Sequence, residues 1–185
     1  MQLITKQEGI YTYEIPANSI NIYNQILQRF RFIAGLPSEG IERMMIANNH
    51  ADTWHSMMKD ELKKKKYQDQ WIRINGAGEF FSEAYTRSWM RICSDLPAVN
   101  FYAFTQKISM MKRLDREGII PANFIPIYIY GGKENHLIRL QEDRHARAFS
   151  SREEIIEANY VDISDDNSMA AYSSNHRIGI IISKG

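Results

Sequence analysis

Between residues 71 and 182 the chain alternates short apolar runs with amphipathic stretches of helical length, and no other feature limits the fold as strongly. Trp71-Ile72-Arg73-Ile74-Asn75, 99–104, 124–130 and 178–182 are rich in aromatic and β-branched residues and read as strands, with a shorter one near 146–149. Between them, 82–95, 107–117, 134–141 and 151–158 are predicted helices. Ser82 suits an N-cap, and the helix after it carries Tyr85, Trp89, Ile92 and Cys93 on one face. Gly118 falls where a helix ends in a left-handed residue. Pro126 implies a bulge or an irregular strand start. The last strand, Ile178-Gly179-Ile180-Ile181-Ile182, is apolar at alternate and intervening positions, so it is expected to be buried on both faces.

Strands separated by helices form right-handed βαβ units, which make the strands parallel. Residues 71–185 hold four or five such strands, too few for an eight-fold barrel of about 250 residues. The expected fold class is therefore α/β, parallel strand–helix repeats forming a partial barrel or curved open sheet, with an N-terminal helical segment. In that segment 10–15 reads as a strand ended by Pro16, and Ile22, Tyr23, Ile26, Leu27 and Phe30 mark a helix. Gly35-Leu36-Pro37-Ser38 breaks it, and a long helical stretch occupies 39–67, interrupted near Asn48-Asn49. The whole, 1–185, is expected to be one α/β domain, with 1–68 its strand-plus-helix part and 69–185 its repeat part.

The chain has 23 Lys+Arg against 22 Asp+Glu, so a net charge of +1 supplies no global pull toward nucleic acid or membrane. A single cysteine, Cys93, excludes an internal disulfide and any four-thiolate metal site. With no apolar run of about 18–20 residues and no signal-peptide layout at Met1, a reducing cytoplasm is the expected compartment.

Parallel α/β sheets seat ligands beyond the carboxyl ends of their strands. Those loops hold Asn75, Gly76 and Gly78, then Thr105, then Tyr130, Gly131 and Gly132, whose amides and hydroxyls suit a small anionic ligand. Gly76-Ala77-Gly78 begins like a dinucleotide fingerprint, but Phe81 takes the third glycine position; glycines that merely let a strand turn into a helix explain it as well. Glu79 is the candidate catalytic acid/base, against the plainer reading of a carboxylate near a helix N-terminus. Asp162, Asp165 and Asp166 lack calcium-loop spacing, and Ser164 or Asp165 is expected to cap a short helix toward Tyr172. The five histidines are scattered, so no metal site is expected, and Cys93 reads as a buried, inert thiol. Lys63, Lys64, Lys65 and Lys66 end a helix, where cations complement the helix dipole; the sharper reading is a nucleic-acid or phosphate patch.

The stretch from Trp71 through Gly78-Glu79-Phe80-Phe81-Ser82 to Tyr85, with Trp89, Ile92, Pro97 and Phe101-Tyr102-Ala103-Phe104-Thr105, resembles the bacteriophage "gene product 88" family. Asn123-Phe124, Gly131-Gly132 and Ile178-Gly179-Ile180 are similar to its later blocks, and Glu14-Ile15-Pro16-Ala17 to an early one. The resemblance implies a parallel barrel related to radical-SAM enzymes, in which Gly78 and Glu79 match a cofactor-contacting turn. The cysteines that would bind an iron–sulfur cluster have no counterpart here, so no cofactor of its own is expected.

Together, the resemblance and the missing cysteines imply a reduced phage protein in the host cytoplasm, an accessory scaffold for which the residues leave three readings open. The first is a binding protein, suited to a counter-defence role, that takes a small anionic ligand or a host protein at the strand ends. The second is a small enzyme acting on a nucleotide or nucleic acid through Glu79. The third is a nucleic-acid-binding module using the four lysines, which the near-zero net charge disfavours.

Overall fold

A computed structural model describes residues 4–7, 10–13, 51–74, 80 and 82–182. Its strands are β1 (Ile4–Gln7), β2 (Ile10–Tyr13), β3 (Trp71–Ile74), β4 (Asn100–Thr105), β5 (Phe124–Ile129), β6 (His145–Phe149), β7 (Val161–Asp162) and β8 (Arg177–Ile181). Its helices are α1 (Ala51–Leu62), α2 (Glu83–Ser94), α3 (Ile108–Arg116), α4 (Arg152–Glu157) and α5 (Met169–Tyr172). These strands form one sheet in the order β1-β2-β3-β4-β5-β6-β8-β7. Only β1 and β2 pair antiparallel; the other neighbours are parallel. The sheet curls into a half-barrel, as the expected fold class requires. The helix expected around Ile22–Phe30 and the first part of the 39–67 stretch lie outside the described residues.

Two local signals set three of the helix ends. The Ser82 hydroxyl accepts the Tyr85 amide at 3.2 Å, and Ser151 accepts that of Glu154 at 3.3 Å, so each satisfies a first-turn N–H that the helix leaves unpaired. Gly118, at φ +70°, closes α3 in the left-handed conformation. On α2, Tyr85, Trp89, Ile92 and Cys93 are all buried against the sheet.

Alternation along the strands sorts side chains onto two faces. Ile72, Ile74, Phe101, Ala103, Phe124 and Tyr128 face α1, α2 and α3, and we call this the helical face. Tyr102, Phe104, Ile127, Ala146 and Ile178 belong to the separate cluster of the inner face. Strand order explains why α5 is different. The chain passes from β6 outward to β7, then returns to place β8 between them. Right-handed crossovers in opposite directions put their helices on opposite faces. Accordingly Ile155 of α4 lies over Gly179 on the helical side, whereas Ala170 and Ala171 of α5 join the inner cluster. β8 is thereby placed between two strands, but only Ile178 and Gly179 are buried; Ile181 and Ile182 are exposed, so the expected burial on both faces fails at the carboxyl end of this strand.

Gly179 is required by that packing. A Cβ there would stand 2.5 Å from Ile155 Cγ2 and 2.8 Å from Cγ1. Gly179→Ala is expected to lower stability by about 2 kcal/mol through overpacking. In thermal denaturation this corresponds to a melting temperature about 4–8 °C lower.

Pro126 sits in the interior of β5 without a bulge, paired with Ala103 of β4. The amides of Tyr128 and Tyr130 point toward β6, donating to Arg144 and Ala146, so by the period of two residue 126 faces the same way. The β5–β6 ladder begins only at Tyr128, and a missing donor at residue 126 therefore interrupts no bond.

Two further sequence expectations need correction. The predicted helix over 134–141 is only a 3-10 turn, Asn135–Leu137. Its polar side chains bind backbone elsewhere: Glu134 accepts the Ser109 amide, Asn135 those of Gly131 and Gly132, and Asp143 that of Arg139. The short helix toward Tyr172 starts after Ser168, not after Ser164 or Asp165, because Asp162 and Asp166 fold back onto Ser164 and Ser168. The hairpin partner β1 and the two-residue β7 carried no strand signal strong enough to read.

Candidate functional site

The carboxyl ends of β3, β4 and β5 emerge side by side on the sheet. Asn75, Gly76, Gly78 and Glu79, just after β3, lie outside the described residues. The loops after β4 and β5 are described, and they are tied together. Glu134 accepts both the amide and the hydroxyl of Ser109, at 2.8 and 2.7 Å, on the first turn of α3. Those bonds hold its carboxyl below the usual carboxylate value. Gly132 lies against Gln106, where an added Cβ would meet the glutamine side chain at 3.1 Å. Gly131, at φ +116°, lets the chain turn sharply enough to make that contact.

Thr105, Tyr130, Gly131 and Gly132 are thus neighbours, but their polar groups are directed differently. Thr105 is buried and continues the row of Phe101 and Ala103 on the helical face, where its hydroxyl oxygen accepts the Lys107 amide at 3.0 Å. Tyr130 also packs on the helical side, its ring 5.8 Å from that of His145. The amides of Gly131 and Gly132 donate to Asn135 Oδ1 at 3.3 and 3.2 Å.

Lys63, Lys64, Lys65 and Lys66 lie just before the amino end of β3, away from these tips. Lys64 pairs with Glu61, Lys66 Nζ stands 3.6 Å from the same carboxylate, and the Tyr67 hydroxyl donates to it at 3.0 Å. Burial pushes Glu61 upward, but the Lys64 and Tyr67 hydrogen bonds outweigh it and leave the carboxyl below its ordinary value. Two of the four cations therefore have a structural partner at this helix end.

The inner face carries features that motif reading missed. Arg73 on β3 lies opposite Tyr102 in register, with its guanidinium carbon 4.9 Å from the Phe104 ring centroid. Its place in Trp71-Ile72-Arg73-Ile74 was a legible signal, because alternation puts it opposite to the helix-facing isoleucines. Tyr102 is fully buried, and burial pushes its hydroxyl up to about 12. Toward the carboxyl end of β6, Ala148 occupies the same face as Ala146 and pairs with Ile180, yet it is exposed. The β5–β6 ladder ends at Ala146, so Ala148 is paired with β8 alone. On the inner face Ala170 and Ala171 of α5 are thus buried, whereas Ala148 is exposed.

Cys93 is completely buried on α2, and burial raises its thiol well above the ordinary value. One such thiol cannot meet the several thiolates that an iron–sulfur cluster needs, so these residues do not fit that group. Among the described residues no three His, Cys, Asp or Glu side chains gather as metal ligands, and no helix is long and apolar enough to cross a membrane.

These features define a parallel α/β half-barrel protein. The chain belongs to the Gene product 88 family of phage proteins, which it matches over residues 38–185. No curated protein and no solved structure matches it.

Proposed function

We propose that this phage protein is an accessory binding protein of the host cytoplasm, which seats a small ligand on the inner face at the carboxyl ends of its strands. The observation that carries this reading is the exposure of Ala148 on the inner face, just past the end of the β5–β6 ladder. The small, exposed Ala148 leaves room, Phe104 and Ile129 offer apolar walls, and Arg73 favours an anion. The loops tied through Glu134 and Gln106 give the rim a fixed shape, which reduces the ordering that binding must overcome. A scaffold that captures a metabolite in this way suits counter-defence, and a host protein docked at the same rim is the second outcome to look for.

Native mass spectrometry of protein taken from infected cells, before and after desalting, tests the reading. A retained mass is expected in the native protein and a reduced one in Ala148→Trp, which fills the opening. Bare polypeptide in both samples overturns it.

A further inference from the structure

The opposite side of β6 presents a second arrangement. Because the β5–β6 connection contains a 3-10 turn and no helix, the helical face of β6 has no crossover helix of its own on the β5 side. Its outward positions are His145, Arg147 and Phe149, and Arg177 of β8 lies beside His145 in register. Tyr160, in the loop after α4, leans onto the same surface, its ring 5.1 Å from that of Phe149.

His145 is fully buried and held at both ring nitrogens. Nδ1 lies 2.8 Å from the Asp143 carbonyl, which only accepts, so Nδ1 carries the proton. Nε2 then accepts from the Tyr160 hydroxyl at 3.1 Å. Tyr130 meets the other edge of the imidazole. Burial and Tyr130 push the Tyr160 hydroxyl up, while Arg147 and Arg177 pull it down. Arg147 is exposed and stacks at 5.4 Å over Phe149.

The two arginines here differ from the five that pair with carboxylates; Arg144, which also lacks a carboxylate among the described residues, is held instead by backbone carbonyls. Arg87, Arg91, Arg113, Arg139 and Arg152 each pair with a carboxylate, whereas among the described residues neither Arg147 nor Arg177 does. Carboxylates on neighbouring elements are engaged: Asp143 by Lys112 and Asp162 by Arg152, each at 2.5 Å. Two cations without counter-charge among the described residues, one stacked on Phe149 beside Tyr160 and one in register with His145, leave uncompensated positive potential on this face.

We infer that this groove binds a phosphate monoester, with Arg147 and Arg177 holding the phosphate oxygens and Tyr160 and Phe149 walling the site. The phosphate is either free or carried by a nucleoside monophosphate, whose flat base would lie beside the half-buried rings of Tyr130 and Tyr160. The site is on the other face of the sheet from the proposed ligand seat and does not depend on it.

Calorimetric titration of the full chain with inorganic phosphate and with adenosine monophosphate provides the test. Binding of one or both is expected, weakened about tenfold or more in Arg147→Gln/Arg177→Gln at an unchanged melting temperature. Equal affinity for the two probes identifies the phosphate alone as ligand; tighter binding of the nucleotide assigns the rings a share. Arg147→Gln by itself changes an exposed residue and gives the same readout if the double variant is unstable. Ala148→Trp leaves this binding intact. No heat with either probe, equal affinity in the double variant, or binding only to a single-stranded oligonucleotide overturns the inference.

Discussion

Asn123→Asp is expected to be the most damaging single-atom exchange in the described chain, lowering the melting temperature by about 6–16 °C. The Asn123 Nδ2 stands 2.9 Å from the Cys93 carbonyl, 3.0 Å from that of Leu96 and 2.9 Å from that of Val99. Those oxygens belong to the end of α2 and the turn leading into β4, where helix carbonyls lack intrahelical donors. One amide group therefore closes a helix and aims the next strand, while the Asn123 carbonyl accepts the first amide of that strand's Phe101 at 2.7 Å. An aspartate places a negative oxygen among three others and supplies no donor. Loss of the bonds and the desolvated charge together amount to about 3–4 kcal/mol.

Asn123→Ala, which removes the donor without adding charge, should cost less, about 1–3 kcal/mol. The order of the two variants is diagnostic, and so is pH. The introduced carboxyl has its folded pKa raised by the carbonyls, so protonation restores a donor and the deficit shrinks as pH falls from neutral. Denaturant titrations at two pH values measure this. An aspartate variant as stable as the alanine one, with no pH dependence between them, would contradict the clamp.

The second large effect is expected at Arg144, just ahead of β6. Its guanidinium donates to the carbonyls of Ala170 at 3.1 Å, Asn175 at 3.2 Å and Ser173 at 2.6 Å. Burial lowers its pKa, yet no carboxylate among the described residues compensates it; carbonyl oxygens at the end of α5 take that part. Meanwhile the Arg144 carbonyl accepts the Tyr128 amide at 3.0 Å, so the residue links β5 to the loop that delivers β8. Arg144→Met keeps the stem and removes all three donors, for a loss of about 2–4 kcal/mol. Arg144→Lys should recover only part, since an ammonium cannot reproduce a planar fork. Limited proteolysis should cut the Met variant first within 163–176. A lysine variant with wild-type stability and protease resistance would sink this account.

Asn123 shows how far sequence reading could reach. It stands out as part of a resemblance to known phage sequences, but nothing near it in the chain says that its partners are thirty to twenty-four residues away. The candidate site divides in the same manner. Strand ends and glycine turns were legible, since Gly131 and Gly132 break the apolar period after β5. Which way Thr105 and Tyr130 point was not, because a strand's two faces look alike in sequence until one is packed.

By itself the sequence determined the parallel α/β character, the cap at Ser82 and the stop at Gly118. Each arises from periodicity or from the bonding of a helix end, which are properties of neighbouring residues. Tertiary structure alone decided that β8 slips between β6 and β7, that α5 crosses to the inner face, and that residues 134–141 give up a helix to bind other loops. Strand order and side-chain partners depend on which distant backbone arrives alongside, and contacts across such separations leave no local period to read.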